Sequence, residues 1–455
     1  MAYSKTLESW LKKCKAEPGD RVRYSGPKGT FEGILLPKPE LGGSESCLLL
    51  KLDNGYNVGL ECPGAQLDVI QRHAAVLGSG GPQGTWAPSM RSDIPKISLV
   101  ATGGTISTKV DYKTGGVYML SEPAEILAKV PELADIANIH RIQSPFRKAS
   151  EDMDHKDWQT LAKTVVDELN SDSQGVIVTH GTDILAYTAA ALSFMITDLN
   201  KPVVLTGAQR SPDRGSFDGA LNLVWASQFA ASDCAEVAVV MHGSSSDDYG
   251  LAHVGTKTRK MHTGRRDAFQ TLNAQPWAQI GPEEHGRNEI RFFRDDYSCR
   301  DESKTAKVDT AFESKVAHVK ATPSSDFGMI DYLVEKKIKG IVLEAWALGH
   351  VPTVGKNSWI ASIRNAVDSG VSVVVTTQCL HGIVHPSVYA SSRQLASTGA
   401  IHLWDMLPET AWVKLGVALG RHKKPDAVRE YMLTNVAHEF NQRPQHEDFQ
   451  GFRGA

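Results

Sequence analysis

Apolar residues recur along this chain in three rhythms. Over residues 5–15 they fall at Leu7, Trp10 and Leu11, one face of a short amphipathic helix. From residue 20 onward the rhythm shortens. Residues 20–24 alternate charged and apolar side chains, and 30–36, 47–52 and 55–60 are brief strand-like runs. Ser-Gly-Pro, Leu-Gly-Gly-Ser and Asp-Asn-Gly breaks separate them, which predicts a small β-barrel ending near Arg72. Residues 77–95 are rich in Gly, Pro and Ser without apolar periodicity and read as a linker.

The third rhythm begins at Lys96. Apolar runs at 97–101, 175–179, 202–206 and 235–241 alternate with helix-length segments at 157–170, 184–197 and 217–231. Such alternation predicts crossover connections and a mainly parallel sheet. A charged, ragged stretch at 291–310 interrupts it. Runs at 315–321, 340–344 and 370–376 then resume, with helices around 327–335, 358–368 and 412–418. The expected fold class is therefore α/β, two domains with mainly parallel sheets preceded by a small N-terminal β-barrel domain. The boundaries read as 1–75 for helix plus barrel, 76–95 for the linker, 96–298 for a large α/β domain, 299–311 for a connector and 312–455 for a smaller α/β domain.

Composition narrows the function classes. Of 455 residues, 49 are Lys or Arg and 52 Asp or Glu, a net charge of −3. That balance excludes a generally basic nucleic-acid coat. The first 75 residues hold ten Lys/Arg and nine Asp/Glu, so the N-terminal module has no strong electrostatic attraction for nucleic acid and suits docking or spacing. No apolar run approaches the roughly 20 residues of a membrane helix, and the N-terminus has no apolar core of a secretory signal. Six scattered cysteines without CxxC spacing read as reduced thiols in a cytoplasmic protein.

Three motifs fall where a parallel sheet places its ligands, beyond the carboxyl ends of strands. The first is Thr102-Gly103-Gly104-Thr105-Ile106-Ser107, whose glycines permit a tight turn and close backbone approach. It lacks the GxGxxG or GxxxxGK pattern of a phosphate cradle. The second is His180-Gly181-Thr182-Asp183, and the third runs from Gly207 through Arg210 to Ser216. Two hydroxyls and a carboxylate at strand ends point to nucleophilic attack on a carbonyl. A threonine hydroxyl needs a base, and no GxSxG elbow is present. Lysines of the run 255–263 are candidates, although such a run by itself more often forms a solvated charged face.

The segments TGGTIS at 102–107 and HGTD at 180–183 resemble the two signatures of the asparaginase/glutaminase family, in order and distance, and the likeness runs from about Lys96 to the C-terminus. The resemblance implies an asparaginase-like fold of two α/β domains with paired subunits. It also implies roles. Thr105 matches the loop nucleophile and Tyr112 the loop tyrosine that activates it. Thr182, Asp183 and Lys260 match the rigid triad, Lys260 by its interval to Phe269. Ser150 matches the serine for the substrate carboxylate, with Glu151 beside it. Gly104 and Gly181 supply the close backbone around the substrate. Either Thr105 or Thr182 attacks first.

Three positions depart from the pattern. Glu151 follows Ser150 where glutamine is common, Ile184 follows Asp183 where threonine is common, and residues 378–389 offer no clear match for a glutamate lent by a neighbouring subunit. Glu151 is therefore the candidate for holding the substrate ammonium. About 95 residues precede the TGGTIS strand, a layout that resembles the archaeal amidotransferase D-subunit branch of the family. That resemblance implies an amidase acting on glutamine or asparagine inside a complex with an E-subunit and Glu-tRNA(Gln). ATP and magnesium would serve the partner's reaction, with no metal or cofactor in this chain. A homodimer within a heterotetramer, with no membrane contact, is the implied assembly. A free-standing L-asparaginase with an accessory domain is the second expectation, and a non-catalytic binding protein on the same fold the third. His253 and His262 read as solvated or locally hydrogen-bonded, Trp346 and His350 as core in preference to a subunit interface, and His381 and His385 carry no assignment.

Overall fold

The computed structural model describes residues 3–36, 47–52, 57–62, 64–72, 92–104, 108–110, 117–119, 130–211, 217–281 and 289–444. Its N-terminal helix spans Lys5–Lys13 and starts where the Ser4 hydroxyl accepts the Leu7 amide at 3.3 Å. The helix turns Leu7 and Leu11 inward onto five antiparallel strands, β1 (Arg21–Gly26), β2 (Gly29–Leu35), β3 (Cys47–Leu52), β4 (Asn57–Glu61) and β5 (Gln66–Gln71). Alternation in β1 sends Val22 and Tyr24 into the core and Arg23 outward. The sheet order is β4-β3-β2-β1-β5, and among the described residues no ladder joins β4 to β5 to close a barrel. All five strands nevertheless feed one core of Val22, Tyr24, Leu35, Leu48, Leu60 and Leu67.

The large α/β region carries β6 (Lys96–Ala101), the hairpin β7 (Thr108–Val110) and β8 (Val117–Met119), β9 (Asn138–Gln143), β10 (Gly175–Thr179), β11 (Ile196–Thr197), β12 (Val203–Thr206) and β13 (Val237–His242). It continues with β14 (Gly250–Val254), the hairpin β15 (Thr258–Lys260) and β16 (Phe269–Thr271), β17 (Ala278–Ile280), β18 (Ile290–Phe292) and β19 (Lys307–Val308). Eight strands form one sheet in the order β18-β17-β14-β13-β12-β10-β6-β9. Strands β9, β6, β10, β12 and β13 run parallel, whereas β14, β17 and β18 extend the sheet antiparallel. The sheet is thus mainly parallel, as the alternation of strands and helices implied, with an antiparallel extension at one edge.

The central strands are covered on both faces and read as unbroken apolar runs. Val100, Val176, Val178 and Leu205 face the helices His155–Leu169 and Leu185–Met195, and Ile97, Leu99, Ile177 and Val204 face the helix Gly219–Ala230. Burying each such side chain contributes roughly 1.5–3 kcal/mol relative to leaving it in water. The ragged stretch after β18 is tied to this body, since β19 pairs with β11 and the Asp309 amide donates to Met195 O at 2.8 Å.

The second region is a four-stranded parallel sheet, β20 (Val316–Lys320), β21 (Gly340–Ala345), β22 (Ser372–Thr377) and β23 (Ile401–His402), in sequential order. Helices Gly328–Glu335 and Ile360–Asp368 cover one face, and Pro408–Arg421 with Pro425–Leu433 the other. Val413 and Val417 of Pro408–Arg421 also enter the core of the large region. At that seam Lys414 donates to the Thr434 carbonyl at 2.6 Å and pairs with the fully buried Glu439. Burial pulls the Lys414 ammonium below its usual range.

Candidate active site

Parallel pairing of β6 with β10 sets Ala101 beside Thr179, so the turns that follow both strands leave the sheet side by side. The Thr102 amide donates to Thr179 O at 3.1 Å, and its hydroxyl reaches the same carbonyl at 3.0 Å. Gly103 and Gly104 then take φ of 116° and 85°, the left-handed side that an L side chain resists. A Cβ on Gly104 would run into the backbone of Gly181, and one on Gly181 would sit 2.6 Å from the Ser150 hydroxyl. The two signatures therefore touch through backbone, with buried Ser150 packed beneath them.

His180 fixes this contact from below. It is buried, and desolvation pushes its pKa down to about 4, so the ring is neutral at neutral pH. Its Nδ1 lies 2.6 Å from Gly181 O, a partner that can only accept, so Nδ1 carries the proton. The other nitrogen, 3.0 Å from the Thr188 hydroxyl, must then accept, while Trp158 donates its indole N–H to the same hydroxyl at 2.9 Å. Sequence reasoning gave His180 no role. Its place inside the HGTD motif was the available signal.

Next along the turn, Thr182 is buried and Asp183 exposed, and the Asp183 amide donates to the Ser150 hydroxyl at 3.3 Å. The helix Leu185–Met195 opens immediately afterwards, directing its first amides toward the site. Lys260, at the end of β15, enters from another side. It pairs with Phe269 across the hairpin, and its Nζ lies 2.9 Å from Thr182 Oγ1 and 2.8 Å from Asp183 Oδ1. Asp183, Lys260, Met261, His262 and Thr263 line an open cavity of about 240 Å³ here. The lysine bridges a hydroxyl and a carboxylate, so as ammonium it donates to both. Once neutral it can accept the threonine proton.

Glu151 lies beside Ser150 in a short 3₁₀ turn and is exposed. Thr105 and Tyr112 lie outside the described residues. The third motif contributes scaffolding. Gln209 and Arg210 amides donate to buried Asp218 at 2.9–3.1 Å, and a Cβ on Gly207 would sit 2.6 Å from His180 O. The run 255–263 is solvated only at its end, where His262 and Thr263 are exposed. Thr256, Lys257 and Thr258 are buried, because the second region covers them. His253 is buried 3.0 Å from the Thr271 hydroxyl, its pKa pushed down to about 3 by desolvation, and His262 accepts the Gly264 and Arg265 amides at 3.0 Å. Trp346 packs partly against the second core, with His350 against the Tyr389 ring at 5.0 Å. Among the described residues no group of three or more His, Cys, Asp or Glu is placed to hold a metal ion, and no helix is long and apolar enough to cross a membrane.

Residues 96–295 match the family "Asparaginase, N-terminal", residues 315–432 the "Glutaminase/Asparaginase C-terminal domain" and residues 16–70 the "GatD N-terminal domain". The glutamyl-tRNA(Gln) amidotransferase D-subunit of Pyrococcus furiosus is 46% identical over 440 residues, covering 95% of this chain and 97% of that protein. The chain belongs to the glutamyl-tRNA(Gln) amidotransferase D-subunit family. The D-subunit of Methanosarcina mazei is 42% identical over 93% of this chain and 98% of its own length. Among solved structures, the thermostable L-asparaginase from Thermococcus kodakarensis is similar with a TM-score of 0.68 at 27% identity, covering 76% of this chain and 100% of that one. The asparaginase-like fold of two α/β regions is thereby established, preceded in this chain by the N-terminal module at residues 16–70.

Proposed function

We propose that this chain is the amidohydrolase component of a glutamyl-tRNA(Gln) amidotransferase, releasing ammonia from glutamine or asparagine for a partner protein. The observation that carries the reading is the contact of Lys260 with both Thr182 and Asp183, beside the joined turns at Gly104 and Gly181. In the reaction, a threonine oxygen, from Thr105 or Thr182, forms a bond to the carboxamide carbon and gives up its proton. Backbone amides around the glycine turns hold the oxyanion. The C–N bond then breaks, and the nitrogen leaves as ammonia with a proton delivered through Lys260. Water hydrolyses the acyl-threonine and returns the proton. Asp183 holds the lysine in place, and Tyr112 assists Thr105.

Ser150 is assigned to the substrate carboxylate and Glu151 to its ammonium. The domain boundaries follow the sequence reading, with the catalytic part at 96–298 and the smaller part at 312–455. The acceptor, Glu-tRNA(Gln), and the ATP and magnesium that activate it belong to the E-subunit partner, and two copies of this chain pair within a heterotetramer in the cytoplasm.

Ammonia release from glutamine and asparagine by the full chain, alone and then with partner and Glu-tRNA(Gln), tests the reading. Release should rise sharply in the complex. Brisk asparagine hydrolysis by the chain alone, unaffected by the partner, would replace it with a free-standing L-asparaginase. Thr105→Ala, Thr182→Ala, Asp183→Asn and Lys260→Ala should each lower turnover by about 10²-fold or more while the fold persists. Near-normal turnover in Lys260→Ala overturns the lysine's assignment.

A further inference from the structure

We infer that Asp405 of the second region is a positioning residue for Lys260, acting through Lys257 three residues earlier on the same segment. The inference rests on the reading of Lys260 given above. Hairpin β15–β16 stands outside the eight-stranded sheet, and among the described residues its two strands pair only with each other. Three paired residues are a short ladder, and a two-stranded hairpin by itself is marginally stable in water. The large region holds it through Phe269 in its core, His253 against Thr271 and Thr258 on Val254 O, and the second region holds its two ends.

The Lys257 side chain is 1% exposed and its Nζ lies 2.9 Å from Asp405 Oδ2, itself on a side chain 1% exposed. Asn441 completes the carboxylate, donating its amide to Oδ1 at 2.6 Å and its side chain to Oδ2 at 3.0 Å. The same Asn441 side chain reaches Asn273 O at 2.7 Å, and Asn273 donates to Asp405 O at 3.2 Å. Asn273 follows β16 by two residues, so both ends of the hairpin meet at Asp405. Neighbouring ties point the same way. Thr256 donates to Ala437 O at 2.7 Å, Thr410 donates to Thr256 O at 2.6 Å, and Arg259 pairs with Glu409 at 3.2 Å.

A hairpin held this way transmits its placement to Lys260. Its amine meets Thr182 within hydrogen-bond reach only while the register at Lys257 is kept, and a shift of about 1 Å in a reacting group can cost 10²-fold in rate. The two buried charges are a costly way to hold a strand, since a matched apolar pair is often at least as stable. An apolar pair lacks directed bonds to fix where the strand sits.

Two variants of the full chain test this. Asp405→Asn keeps the shape and removes the charge, but leaves the buried Lys257 ammonium without its carboxylate. The double variant Lys257→Met/Asp405→Asn removes both charges at nearly constant volume and keeps an amide oxygen that accepts from Asn441, so that folding is preserved. Ammonia release, thermal unfolding and circular dichroism are measured on each, with Lys260→Ala alongside. The expected result is a kcat at least about tenfold lower per folded molecule in the double variant, with KM changed less than about twofold. A folded double variant with wild-type kcat overturns the inference, as does a kcat loss that merely follows the folded fraction in both variants. If Lys260→Ala itself retains turnover, the underlying assignment of the lysine fails instead.

Discussion

Thr182 and Lys260 meet at 2.9 Å but are held in different ways. Thr182 follows β10, flanked on both sides by parallel strands and packed through Gly181 and His180 into the sheet. Its position is set within the large region. Lys260 ends a three-residue strand outside that sheet, held by Asp405, Thr410, Glu409 and Ala437 from more than 100 residues away. One half of the site is built by local strand order, the other by the docking of two regions. A disturbance of the seam between them should reach the lysine before it reaches the threonine.

The largest effect should come from the strand side. Gly181→Ala would push a methyl into Ser150, whose hydroxyl oxygen lies 2.6 Å and whose Cβ lies 2.7 Å from the ideal Cβ position. We expect kcat/KM for ammonia release to fall by about 10²-fold or more, with an unchanged circular dichroism spectrum. Activity near wild type would mean that the turns are slack.

Acid should expose an effect common to both regions. His180 and His402 are buried neutral, each with its pKa pushed down from 6.5 to about 4, chiefly by desolvation. The unfolded chain binds these protons more readily, so stability should fall as pH drops from about 6.5 toward 4 and be fully present above that window. Each ring contributes at most about 1.4 kcal/mol per pH unit. Chemical denaturation across this range should show the slope, and His402→Gln should flatten it by one histidine's share. An identical slope in the variant would remove His402 from the account.

The smallest effect should come from Arg259→Gln at the seam. Its ion pair with Glu409 is partly exposed, so stability should change by less than about 1 kcal/mol. We expect kcat to fall a few-fold with KM unchanged, measured by ammonia release. A KM effect without a kcat effect would place Arg259 in substrate binding.

What the sequence disclosed follows the same divide. Strands β6, β10, β12 and β13 and their helices were legible because full burial leaves continuous apolar runs between helical periods. The turns after β6 and β10 were legible because glycines beside hydroxyls at strand ends permit a close backbone approach. Strand β9 escaped because it lies at the sheet edge and Arg141 leaves it for Glu168. Strands β17 and β18 escaped because each has only three residues, and β14 because Gly250 and His253 interrupt its apolar run. Lys257 could not be read as buried at all, because its partner is 148 positions away and no local pattern announces such a pair.

The pair of Lys414 and Glu439 sets an order on assembly. Without Glu439, the amine of Lys414 faces Phe194 and Tyr431 with no counter-charge, and leaving a buried charge uncompensated costs about 3–5 kcal/mol. Full seating of the helix Pro408–Arg421 against the large region is therefore tied to the docking of the segment around Glu439, so the joint between the two regions is only as firm as that segment's hold.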